Sequence, residues 1–167
     1  SHAVEEVARL AAHVVVLEGG RVAAAGTPAE VLAPASLDRA LDRFGAVSIL
    51  TTRFDAYRPD YGVTVLKHPA GDIVVPGRVE STAAEIRIAI PANAVTIAIG
   101  RVGNVSIRTT LTGRVVRVDT DAGPFALVTV ALAGGDVLKA YVTRLAADGL
   151  GLDVGDEVQA LVKAVTI

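Results

Sequence analysis

Two cations in the last third of this 167-residue chain, Arg108 and Lys163, are the side chains best placed to do chemistry. A guanidinium offers a planar fork of donors and an ammonium a compact positive charge, and together they suit an oxyanion. Glycine-containing turns nearby add free backbone N–H groups. No acid falls within the stretches from Val105 to Thr112 or from Ala160 to Val165. An unprotonated tetrahedral dianion therefore fits this pair, whereas partly protonated phosphate would favour an acceptor such as Asp. No nucleophile–base arrangement is visible, and His13 and His68 lack a partner at metal-ligand spacing, so both read as structural.

The case for these two residues rests on an internal repeat. Val47-Ser48-Ile49-Leu50-Thr51-Thr52 is similar to Val105-Ser106-Ile107-Arg108-Thr109-Thr110. Val63-Thr64-Val65 is similar to Val128-Thr129-Val130, Gly71-Asp72-Ile73 to Gly135-Asp136-Val137, and Val95-Thr96-Ile97 to Val165-Thr166-Ile167. Self-similarity of this kind predicts two modules of one plan packed together. On this alignment Leu50 stands where the second copy has Arg108, and Ile90-Pro91-Ala92-Asn93 offers no lysine to match Lys163. What both copies share serves structure, so charge gained in one copy marks function. The plainer reading, that isolated charges are solvated at barrel edges, stands against this one.

Short alternating segments must position the pair. Residues 114–119, 125–132 and 138–143, punctuated by Ala122-Gly123, Gly134-Gly135 and Val154-Gly155, read as strands of a small closed or nearly closed β-barrel. Upstream, residues 3–12 set Val4, Val7, Ala8 and Ala11 on one helical stripe. Residues 14–17 and 21–25, flanking Gly19-Gly20, predict a tight hairpin. Thr27-Pro28-Ala29-Glu30 is a helix start with a Thr cap, a first-position Pro and a returning Glu. Pro34 is expected to end that helix, and Ser36 to start another through Phe44.

Composition sets the outer bounds. A hydrophobic share of 51% and a charged share of 20% place the chain among soluble globular proteins with a proper core. Its longest apolar runs are far shorter than the roughly 20 residues of a spanning helix. A net charge of −2, with no clustered Lys or Arg, argues against nucleic acid as a partner. Without cysteine there are no disulfides and no thiolate chemistry. The chain opens at Ser1 inside an apparent helix and without a signal-peptide pattern, so it is expected to be a piece of a longer protein.

Two ordered sets of motifs carry a family resemblance. Ser1-His2-Ala3-Val4-Glu5-Glu6, residues 10–22 from Leu10 to Val22, and Gly26-Thr27-Pro28-Ala29-Glu30-Val31-Leu32 resemble the end of an ABC-transporter nucleotide-binding domain. Ser106-Ile107-Arg108-Thr109 resembles the S-x-R-N start of the molybdate-binding Mop or TOBE domain, and residues 151–164 resemble its end. Departures are Ala12-His13 for the usual Asp-Arg, Thr109 for Asn, and Ala146 for a serine three residues after Thr143. Together the motifs are similar to the C-terminal part of the ATP-binding subunit of a molybdate ABC importer.

The resemblance implies a mainly β fold of two OB-like (TOBE/Mop) barrel modules with short helices, preceded by a helix–hairpin remnant of an ABC ATPase domain. It divides the chain into residues 1–34 (remnant), 35–46 (linker), 47–100 (first module) and 101–167 (second module). It implies His2 as the switch histidine of the parent ATPase, contacting the γ-phosphate, and Ser106, Arg108, Thr143 and Lys163 as oxyanion ligands, with molybdate or tungstate as the anion. It places such sites between chains, so that Arg108 of one chain serves an anion held by Lys163 of another. ATP and Mg belong to the parent protein only, since the G-x-x-x-x-G-K-[ST] loop is absent from this chain. Expected partners are a second copy and the membrane permease subunit, on the cytoplasmic face of the membrane. The implied role is regulatory oxyanion sensing with subunit pairing, and the alternatives are a purely structural dimerisation module or a molybdate-storage protein.

Overall fold

The computed structural model describes residues 11–18, 21–32, 46–79, 84–100, 102–120 and 124–163. The expected helix over 36–44 and His2 lie outside them, as do residues 3–10 of the helix expected over 3–12, whose last two residues, 11 and 12, are not helical. The predicted hairpin forms from β1 (Val14–Glu18) and β2 (Arg21–Gly26), paired antiparallel. Helix α1 (Pro28–Leu32) follows, and its cap is reciprocal. Thr27 N–H donates to Glu30 Oε2 at 2.8 Å, and Glu30 N–H donates to Thr27 Oγ1 at 3.3 Å. Two of the helix's orphan donors are thereby satisfied.

Among the described residues, nine further strands form two sheets. The first is built from β3 (Val47–Arg58), β4 (Val63–His68), β5 (Gly71–Pro76) and β6 (Ile86–Pro91), in the order β5-β4-β3-β6. A 3₁₀ turn at Ala92–Ala94 then leads into β7 (Val95–Ala98). The second sheet contains β8 (Thr109–Asp119), β9 (Phe125–Leu132), β10 (Val137–Thr143) and β11 (Glu157–Val162), with helix α2 (Arg144–Leu150) between the last two. Its order is β10-β9-β8-β11-β7, so β7 leaves the first sheet and extends the second. The architecture is mainly β, barrel-like and repeated, as the motifs implied.

The two sheets repeat one pairing plan, in a register that differs from the sequence alignment. In β3 the ladder to β4 slips between Phe54 and Ala56; in β8 the ladder to β9 slips between Val115 and Arg117. These matching bulges anchor the comparison. Thr52 lies opposite Ile86 and Ser48 opposite Ile90, just as Gly113 lies opposite Val158 and Thr109 opposite Val162. Hence Val47 corresponds to Arg108, Ser48 to Thr109, and Leu50 to Leu111, both of the leucines fully buried. The text-based match of Val47 to Val105, and so of Leu50 to Arg108, is three residues out. The match of 63–65 to 128–130 and that of 71–73 to 135–137 are each one residue out, since Leu66 corresponds to Val130, and Ile73 to Leu138. An odd slip exchanges the two faces of a strand, and burial rejects it: Leu50 is inside while Arg108 is exposed. Val165–Ile167 lie outside the described residues.

One apolar core serves both modules. Leu50, Leu66, Ile73 and Ile88 of the first sheet belong to the same buried cluster as Leu111, Val128, Val130 and Leu138 of the second, with Val95 and Ile97 of β7. Fully burying each such side chain contributes roughly 1.5–3 kcal/mol. The seam between the sheets is tight at Gly71, where a Cβ would stand 2.4 Å from the Thr110 carbonyl oxygen, at a φ of +147°. Thr112 N–H donates to Ala70 O across the same seam at 3.0 Å.

Candidate functional site

The strand pair β8 and β11 brings the two cations to one end of its ladder. Thr109 pairs with Val162 at the end of this antiparallel ladder. Arg108 directly precedes Thr109 in the chain and Lys163 directly follows Val162, so the two cations flank this last rung. The corresponding positions of the first module, Val47 and Pro91, are direct ladder partners. Like charges brought to one place repel, and an anion between them converts that repulsion into attraction. The backbone of Lys163 is fixed as well, its N–H donating to Ala94 O at 2.9 Å.

Arg108 and Lys163 open onto one cleft of about 260 Å³, lined also by Ser106, Ile107, Thr109 and Val162 of the second module and by Val63, Val74 and Pro76 of the first. At about 30 Å³ per water, it has room for a small hydrated anion. Among the described residues lining it there is no carboxylate. The sequence-derived set is thus largely brought together: Ser106, Arg108 and Lys163 share this cleft within a single chain. Arg108 also borders a second, polar cleft with Asn104, Thr110 and Gln159.

Thr143 is elsewhere. It ends β10, opposite Phe125, and caps α2, its Oγ1 accepting from Ala146 N–H at 3.1 Å. The residue is exposed and its hydroxyl proton remains available to donate. Sequence reasoning did not foresee the wall that the first module supplies, nor the role of Thr109. Thr109 is 2% exposed and its Oγ1 accepts a hydrogen bond from Val74 N–H at 2.9 Å. The mirror bond exists at the counterpart residues: Ser48 Oγ accepts from Lys139 N–H at 2.8 Å. The only trace of this in the sequence is the departure of Thr109 from the usual Asn.

His68 has the structural role expected of it, as part of the seam. Its side chain is fully buried, with Nδ1 accepting from Ala70 N–H at 3.1 Å, which leaves Nε2 as the protonated nitrogen that donates to Asp136 Oδ2 at 3.1 Å. The same carboxylate oxygen accepts from Thr51 N–H at 2.9 Å.

The fold is mainly β, repeated and OB-like, and residues 105–167 match the TOBE domain. Over its full length the chain is similar to molybdenum import ATP-binding proteins. It is 36% identical to the protein ModC of Mesorhizobium japonicum over 166 residues, which is 99% of this chain and 45% of that protein. It is 36% identical to ModC of Granulibacter bethesdensis over 179 residues, 100% of this chain and 47% of that protein. The chain therefore spans about half the length of the curated relatives it matches. Among solved structures, the cytoplasmic molybdate-binding protein ModG with molybdate bound aligns at a TM-score of 0.57 and 22% identity, over 70% of this chain and 90% of that one. At that identity the likeness is one of fold. The resemblance drawn from the sequence motifs is borne out.

Proposed function

We propose that this chain is the oxyanion-sensing C-terminal part of the ATP-binding subunit of a molybdate importer, and that its cleft binds molybdate or tungstate through Ser106, Arg108 and Lys163. The observation that carries this is that Arg108 and Lys163, at the end of one strand pair, line a single cleft whose described lining has no acid. Two cations on one cleft gain most from a doubly charged ligand that brings no proton needing an acceptor. Similarity to molybdenum import ATP-binding proteins over the whole chain favours molybdate as the ligand.

Thr143 joins the site from a second copy of the chain, because its exposed hydroxyl lies outside the cleft of its own chain and the Mop resemblance places such sites between chains. Binding then requires the paired state and signals oxyanion supply to the transporter as feedback. Residues 1–34 are the remnant of the nucleotide-binding domain, 35–46 the linker, 47–100 and 101–167 the two modules. The parent subunit, with His2 as its switch histidine and with its own ATP and Mg, works against the membrane permease at the cytoplasmic face. Among the described residues no helix is long and apolar enough to cross a membrane.

Calorimetric titration of the chain with molybdate, tungstate and sulfate tests the reading. Saturable binding of molybdate and tungstate is expected. A chain that pairs but takes none of the three anions would be a structural dimerisation module instead.

A further inference from the structure

We infer that Thr109 is a positioning residue for the oxyanion, holding both cationic arms over the first module's wall through its hydrogen bond to Val74; the inference rests on the cleft being the oxyanion site. Three contacts meet at this residue. It directly follows Arg108 in the chain, so its placement fixes where the guanidinium starts. It is the ladder partner of Val162, which directly precedes Lys163. Its hydroxyl accepts from Val74 N–H at 2.9 Å, and Val74, on the outer strand of the first sheet, lines the same cleft. Val74 is therefore tied to the junction from which both cations project. Without that bond the second module's arms and the first module's wall lose their common register, and the half-buried Val74 amide loses its partner.

The repeat supplies an internal control. Ser48 makes the same bond to Lys139 N–H at the corresponding point of the other seam. There the neighbours of the bond are Val47 and Pro91, so no pair of cations depends on it. Breaking either bond should destabilise the fold, but only the one at Thr109 should disturb the oxyanion. Replacing Thr109 by valine keeps its shape and removes the hydroxyl, while serine restores the acceptor.

Titration with molybdate is run on the parent, Thr109→Val, Thr109→Ser and Ser48→Ala, with the melting temperature of each measured without ligand. The expected result is a weakening of about tenfold for Thr109→Val, with Thr109→Ser and Ser48→Ala within about twofold of the parent although Ser48→Ala melts lower. If Thr109→Val does not fold, Val74→Pro deletes the donor of the same bond from an outer strand, and the same weakening is expected. Folded Thr109→Val binding like the parent overturns the inference. So does Ser48→Ala losing as much affinity as Thr109→Val, which would make the effect one of general stability. A parent that binds no molybdate sinks the function reading itself, a result distinguishable from both.

Discussion

Arg108 and Lys163 are informative because of where the ladder puts them. Each is exposed, and an exposed cation alone says little. Flanking the Thr109–Val162 pair and lining one cleft, they repel until an anion intervenes. Lys163→Gln should therefore leave the ligand-free melting temperature unchanged or higher, and should abolish the upward shift that molybdate gives the parent through ligand linkage. Thermal melts with and without molybdate measure both effects. A large ligand-free loss would mean that Lys163 has a structural partner. The charge asymmetry between the repeats was legible in the sequence, but its register was not. The shared Val-Ser-Ile letters drew Val47 onto Val105, whereas the second strand begins at Thr109 and only the ladder reveals that Val47 corresponds to Arg108.

Elements whose signals are local were read well from sequence. Thr27-Pro28-Ala29-Glu30 gave α1 and its reciprocal cap because the interaction closes within three residues. The Thr27 backbone N–H, and then the Thr27 hydroxyl, hold the Glu30 carboxyl below the ordinary glutamate value. A carboxylate lowered on folding adds stability that is present above its unfolded pKa and fades as pH falls through the folded one. The Glu30 side-chain resonance is expected to titrate at lower pH in the parent than in Thr27→Ala; equal midpoints would remove the cap from the account. The exchange of β7 into the second sheet was not legible, since nothing in Val95–Ala98 says which edge it joins. Nor was the need for Gly71, which follows from the approach of the Thr110 carbonyl in the other sheet. Gly71→Ala meets both that oxygen and an unfavourable φ, so a loss of about 2 kcal/mol or more is expected in urea unfolding. A loss near zero would show that the sheets sit further apart.

At the scale of the whole molecule, the described residues from 46 to 163 form two copies of one sheet plan sharing a core, with paired amide-to-hydroxyl bonds at corresponding points of the seam. Thr143 does not line the cleft of its own chain, so the proposed pairing makes a specific demand on mixed chains. Arg108→Val and Thr143→Val chains should each bind poorly alone. Mixed and allowed to exchange, they should regain one intact site per hybrid pair, where unmutated Arg108 meets unmutated Thr143. No recovery on mixing would place the whole site within one chain.

The central claim is that Arg108 joins Lys163 in holding an oxyanion, and the most direct measurement is calorimetric titration of Arg108→Val with molybdate beside the parent. Valine is what the first module carries at the corresponding position, Val47, so the fold should accept it. With unchanged circular dichroism, the affinity should fall by more than about tenfold, the equivalent of ~1.4 kcal/mol. A folded Arg108→Val chain that binds molybdate as tightly as the parent would contradict the account.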